Sequence, residues 1–185
     1  MEVSEILKLL EESNGSTEIC IAENSKEIPV SGIPYDPEFL KYCEGNQCGG
    51  YGKNHMCPPR VGNIHELIAN AKTFSKAVVF QNVYQLEDSF DFEGMMEAHA
   101  DFAKRTTFLA GALCGKGRYI LLGAGKCQIC EECTALNDKP CVHPDKAYSA
   151  LECYGIYVAK LLEKNGMKYN NGEATVSYVG LIYFD

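Results

Sequence analysis

The sequence predicts an α+β fold: a mixed β-sheet packed with helices, carrying two cysteine-rich cluster-binding loops. Three observations predict it. Apolar residues recur at helical spacing in several segments, short apolar runs alternate with those segments in the second half, and two cysteine-bearing stretches interrupt the order. In residues 2–12 the stripe Val3, Ile6, Leu7 and Leu10 reads as a helix, stopped by Ser13-Asn14-Gly15. Thr17 to Ala22 and Glu27 to Val30 read as two short strands around a polar turn. Residues 31–62 are rich in proline and glycine and read as loop, with one helical turn at Pro37–Tyr42. A loop of this length in a compact domain needs something to order it, and cysteine ligation would do so.

Asn63-Ile64-His65-Glu66 resembles a capping box that opens a helix through Ile64, Leu67, Ile68, Ala71 and Phe74. Lys76 to Leu86 reads as a strand, and Phe92 through Leu113 as a long amphipathic helix whose stripe includes Met95, Met96, His99 and Phe102. Arg118 to Leu122 is a short strand running into Gly123-Ala-Gly125-Lys126 and the later cysteines. Ser149-Ala-Leu-Glu152 is a second capping-box candidate, opening a helix that Gly166 ends. Asn170-Asn171-Gly172 is a turn before a strand from Ala174 to Phe184. The 185 residues suit one metal-binding domain, 1–185, with a cysteine-rich loop at 31–62 and a cluster loop at 123–145.

Composition narrows the function classes. Hydrophobic residues make up 46% and charged residues 23%, enough for an ordinary core. A net charge of −8 argues against nucleic-acid binding. No apolar run is long enough to span a bilayer, and the acidic start Met1-Glu2-Val3-Ser4-Glu5 lacks the form of an export signal, so a cytoplasmic location and no membrane partner are expected. Ten cysteines then stand out. In a reducing compartment clustered thiols read as metal ligands or redox groups rather than disulfides.

Cys127, Cys130 and Cys133, followed by Cys141 after Pro140, form the strongest pattern. A C-x2-C-x2-C loop wraps three corners of a 4Fe–4S cube while main-chain N–H groups face its sulfides, and a more distant thiolate supplies the fourth corner. Gly123 and Gly125 would let the main chain approach such a group. Structural zinc, which draws two C-x2-C pairs from separate knuckles, is the alternative, and thioredoxin-type dithiol chemistry leaves the neighbouring cysteines unexplained. Cys43, Cys48 and Cys57 supply three thiols from the earlier loop. They could hold a second cubane with one open iron, or recruit a fourth ligand from Cys153, Cys20, Cys114 or a histidine; structural zinc or unligated thiols are the plainer reading.

Taken together, Cys43…Cys48-Gly-Gly-Tyr51-Gly52-Lys-Asn-His-Met-Cys57-Pro58-Pro59, Gly-Ala-Gly-Lys-Cys127-x2-Cys130-x2-Cys133…Pro140-Cys141-x2-Pro144 and Ser149-Ala-Leu-Glu152-Cys-Tyr-Gly155-Ile156 resemble a family of predicted metal-binding proteins, domain of unknown function 2284. Its members come largely from anaerobic archaea and bacteria. The resemblance implies metal or cluster binding and supplies no reaction.

Other residues have plainer readings. His99 on an apolar stripe reads as a hydrogen-bonded core histidine, His65 as solvent-facing, and Met95 and Met96 as core. Cys20 and Cys114 read as small buried hydrophobes, and Gly111 to Lys116 as a tight turn rather than a phosphate loop. His55 and His143, inside the cysteine motifs, are candidates for ligation or hydrogen bonding; Lys53 and Arg60 read as loop charges that could also hold an anion. The expectation is an iron–sulfur protein of anaerobic metabolism with one 4Fe–4S cluster on Cys127, Cys130, Cys133 and Cys141 and a second on Cys43, Cys48 and Cys57. It would serve electron transfer with a redox partner protein or a small iron–sulfur oxidoreductase activity. A zinc-binding structural or interaction module is the alternative. No catalytic residue is assigned, and oligomeric state is left open.

Overall fold

The computed structural model describes residues 1–13 and 19–185. Among the described residues, five strands and five α-helices follow the chain: α1 (Val3–Glu12), β1 (Cys20–Ile28), α2 (Leu40–Glu44), α3 (Ile64–Ala71), β2 (Lys76–Gln85), α4 (Phe92–Leu113), β3 (Tyr119–Gly123), β4 (Ser149–Ala150), α5 (Val158–Lys164) and β5 (Thr175–Phe184). The strands form one mixed sheet ordered β1-β2-β5-β3-β4, antiparallel throughout except for the β3–β4 pair. The expected α+β architecture is what the chain adopts.

Alternation along the central strands builds two cores, because successive side chains of a strand face opposite sides of the sheet. Val78, Phe80 and Tyr84 of β2 with Ile182 and Phe184 of β5 pack against Ile6, Leu9 and Leu10 of α1 and Phe102, Leu109 and Leu113 of α4. Ala77, Val79, Leu181 and Tyr183 face the other way, onto Ala71 of α3 and Leu161 and Leu162 of α5. Helices therefore cover both faces, and β2 is buried along almost its whole length. Gly180 lies opposite Phe80 in the register, where a Cβ would come within 2.1 Å of the phenyl ring.

The local expectations need several corrections. Residues 20–28 form one edge strand, not two strands around a turn, since the polar Asn24 to Glu27 segment keeps its ladder with β2 while exposed to solvent. Asn14-Gly15 and the Thr17-Glu18 start of the expected strand lie outside the described residues. Ser149 opens no helix; it pairs with Leu122 in the sheet, Leu151–Tyr154 make a 3₁₀ turn, and Gly155 at φ +65° resets the chain before α5. Phe92 and Met96 are more than two-thirds exposed, on the outer side of the first turns of α4, and Cys114 is exposed just past the end of that helix. Cys20 is half-buried. Among the described residues no helix is long and apolar enough to cross a membrane.

Candidate metal centre

Both cysteine groups meet at one side of the molecule, beside the carboxyl ends of the parallel pair β3 and β4. Such strand ends are where helix-covered sheets ordinarily receive ligands, because the chain leaves the sheet there and its loops are free to diverge.

The earlier loop is anchored before it reaches its cysteines. Tyr35 bridges Ile156, Asp36 N donates to Gly155 O (2.6 Å), and Tyr157 N donates to Pro34 O (3.2 Å). Gly155 is required there: a Cβ would lie 2.8 Å from Asp36 O, and its positive φ disfavours a side chain. This stitching sets the turn that carries Cys153 beside the short helix α2 that carries Cys43. Downstream, Asn46 Oδ1 accepts from Tyr51 N (3.0 Å) and Gly52 N donates to Pro58 O (2.9 Å), folding the Cys48 segment back on Cys57. Gly50 sits between those two thiols; a Cβ on it would lie 2.9 Å from Cys57 Sγ and 3.6 Å from Cys48 Sγ.

The result is a cavity of about 240 Å³ walled by Cys43, Cys48, Cys57 and Cys153, with Lys126 and Glu152 at its border. Cys153 is 2% exposed, and its thiol lies close enough to those of Cys43 and Cys57 to interact with both. That interaction holds the Cys43 and Cys57 thiols below the ordinary thiol range, with Lys126 adding to the effect at Cys57. The same interactions, reinforced by burial, drive Cys153 upward. Burial likewise raises the Glu152 carboxyl.

The later loop leaves β3 through Gly123, where a Cβ would collide with the Tyr148 ring and Thr106, and through Gly125, held at φ +68° under His99. His99 Nε2 lies 3.1 Å from Ala124 O, and Gln128 Nε2 lies 3.0 Å from His99 Nδ1. The expected core histidine is thus a half-buried strut between α4 and this loop. Cys127, Cys130, Cys133 and Cys141 line a second cavity of about 20 Å³, with His55 and His143 in its wall. Cys127 Sγ accepts hydrogen bonds from the main-chain N–H groups of Ile129 and Tyr148; burial outweighs them and raises its thiol. Amide donors on sulfur are the arrangement a metal-bound thiolate needs, since they disperse its charge.

The two loops also hold each other. Asn54, 6% exposed, donates from Nδ2 to Cys127 O (3.0 Å) and accepts Met56 N at Oδ1 (2.9 Å). His55 Nε2 lies 2.8 Å from Lys139 O, and Arg60 pairs with Asp138 (2.8 Å) while its Nε donates to Gly52 O (3.1 Å). His55 and Arg60 are therefore loop clamps, and Lys53 is exposed beside them. Asn54 went unnoticed in the sequence; the short Lys-Asn-His-Met link between Cys48 and Cys57 was the only signal available.

All ten cysteines are free thiols. Among the described residues no three His, Cys, Asp or Glu meet the geometry of a single-ion site; the thiols surround two cavities instead. The donor sets fit a thiophilic metal. Four thiols border each cavity, and soft thiolates select zinc, copper(I) or iron–sulfur clusters over hard cations. A family model described as a predicted metal-binding protein (DUF2284) matches residues 26–184. Searches of curated proteins and of solved structures found no match.

Proposed function

The chain belongs to the DUF2284 family of predicted metal-binding proteins, and from that premise we propose that it is an iron–sulfur electron-transfer protein with two thiolate sites. One site is Cys127, Cys130, Cys133 and Cys141; the other is built on Cys43, Cys48 and Cys57. A cluster in each would supply one-electron redox chemistry, and the chain's own residues fix the spacing and shielding. The observation that carries the reading is that Lys126 borders one cavity and Cys127 lines the other. Adjacent residues thus line the two sites, which lie side by side along one stretch of main chain. Close spacing of this kind suits passage of single electrons from a reduced donor protein, through both sites, to an acceptor. A reducing cytoplasm is the compartment in which ten free thiols persist.

Zinc is the second reading, and the size of the later cavity favours it there. About 20 Å³ is little more than one water occupies, whereas a cubane would draw on the open cleft of about 920 Å³ that Cys127, Cys130 and Cys133 also line. Anaerobic purification followed by iron, zinc and acid-labile sulfide analysis separates the readings. Iron with equimolar sulfide and a visible absorbance that bleaches reversibly on reduction is expected. Stoichiometric zinc without sulfide overturns the iron–sulfur assignment.

A further inference from the structure

We propose that Cys153 is the fourth thiolate of the earlier site, closing the Cys43, Cys48 and Cys57 set so that no metal position is left open there. The identity of the group as iron–sulfur rests on the reading above; the ligand assignment does not.

Three independent observations carry it. Cys153 borders the same cavity as the other three thiols. Its thiol interacts with two of theirs, although it lies 96 residues from one and 110 from the other in sequence. Finally, the backbone around it is arranged to bring it there: β4 ends at Ala150, the Leu151–Tyr154 turn follows, and Gly155 admits the Asp36 carbonyl where a side chain would exclude it. A cysteine serving only as a small apolar filler needs no such convergence. Thiols from the earlier loop and from the distant 151–154 turn meeting around one cavity are the donor set of a four-cysteine site.

The other candidates weighed from sequence are excluded by position. Cys20, on the edge strand, contacts Asn82 of β2 and Glu23 (3.6 and 3.9 Å), and Cys114 is exposed beyond α4. Neither borders the cavity. His55 is held by Lys139 and faces the other site. Closure has a functional consequence, since a fully ligated cluster exchanges electrons and has no vacant iron for a substrate. The earlier site is thereby assigned to electron transfer rather than catalysis.

The test compares wild type with Cys153→Ala and with Cys114→Ser as a control, all purified anaerobically as full chains. Cyanide added to reduced wild type should leave its electron paramagnetic spectrum unchanged. In Cys153→Ala it should shift one of the two cluster signals, and brief air oxidation should generate a three-iron signal absent from wild type and control. A cyanide-sensitive wild-type spectrum overturns the proposal, and this arm needs no variant to fold. So does a folded Cys153→Ala protein with wild-type metal content and spectrum. If wild type instead contains zinc, the iron–sulfur reading fails separately. The ligand assignment is then read as loss of about one zinc per chain in Cys153→Ala but not in Cys114→Ser.

Discussion

Two buried residues show how closely sheet and loops are fitted. Phe80 is fully buried and stacks on Phe102 at 5.6 Å, in space that exists because residue 180 has no side chain. Gly180→Ala forces a methyl group into that ring, an overpacking that costs about 1–3 kcal/mol. For a chain of this size each kcal/mol lowers the melting temperature by roughly 2–4 °C, so a thermal scan reads the effect directly. An unchanged midpoint would mean that Phe80 has another rotamer available. Asn54 occupies the corresponding position between the loops. Asn54→Ala leaves the Cys127 carbonyl and the Met56 amide unpaired at half-buried positions, together a loss of about 1–3 kcal/mol. Metal release to a chelator should quicken at both sites in this variant, because Asn54 joins the loop of one site to the first ligand of the other. Acceleration confined to one site would show that the loops are held independently.

Helix α4 shows the same coupling at the scale of an element. Its N-terminus is held by Asp91, whose Oδ1 accepts from Gly94 N (2.8 Å) and Oδ2 from Glu87 N (3.1 Å), and those two donors hold its carboxyl below the usual range. A carboxyl depressed in the folded state stabilises the fold above its unfolded value, near 3.9, and that contribution is lost as pH falls through the folded value. Asp91→Asn keeps one acceptor and cannot titrate. Denaturation midpoints at pH 7 and near pH 3 should therefore lie closer together in the variant than in wild type; equal separations would remove Asp91 as a source of acid sensitivity. Elements of this kind were legible because a helix with a cap and an apolar stripe is specified locally. β1 was not, because an edge strand exposed from Asn24 to Glu27 shows no alternation; only its pairing with β2 makes it one strand. Ser149-Ala-Leu-Glu152 carried a local helix-start signal that the tertiary pairing of Ser149 with Leu122 overrode. In the candidate site the seven clustered cysteines could be read from spacing, whereas Cys153 could be ranked only once the Gly155 contact brought its turn against α2.

Over the whole molecule, the division of labour between sheet and loops makes metal removal informative. Both apolar cores are closed chiefly by β2, β5, the helices α1, α3, α4 and α5 and the buried 150–156 segment, while the cysteine loops at 40–60 and 124–147 contribute only the partly buried Cys43 and Ala124. The loops have little regular structure of their own, being held by isolated hydrogen bonds, one Arg60–Asp138 pair and, on the present reading, metal–thiolate bonds. A segment with few buried apolar contacts opens at low free energy, independently of the core. Anaerobic chelation should therefore leave the far-ultraviolet circular dichroism nearly intact. Hydrogen exchange should accelerate across residues 40–60 and 124–147 while β2, β5 and α4 stay protected. The quickening should extend to the turn at 151–154 if Cys153 is a ligand. Global loss of protection would instead show that the metal sites are part of the folding core, and that the two apolar clusters do not hold the sheet together without them.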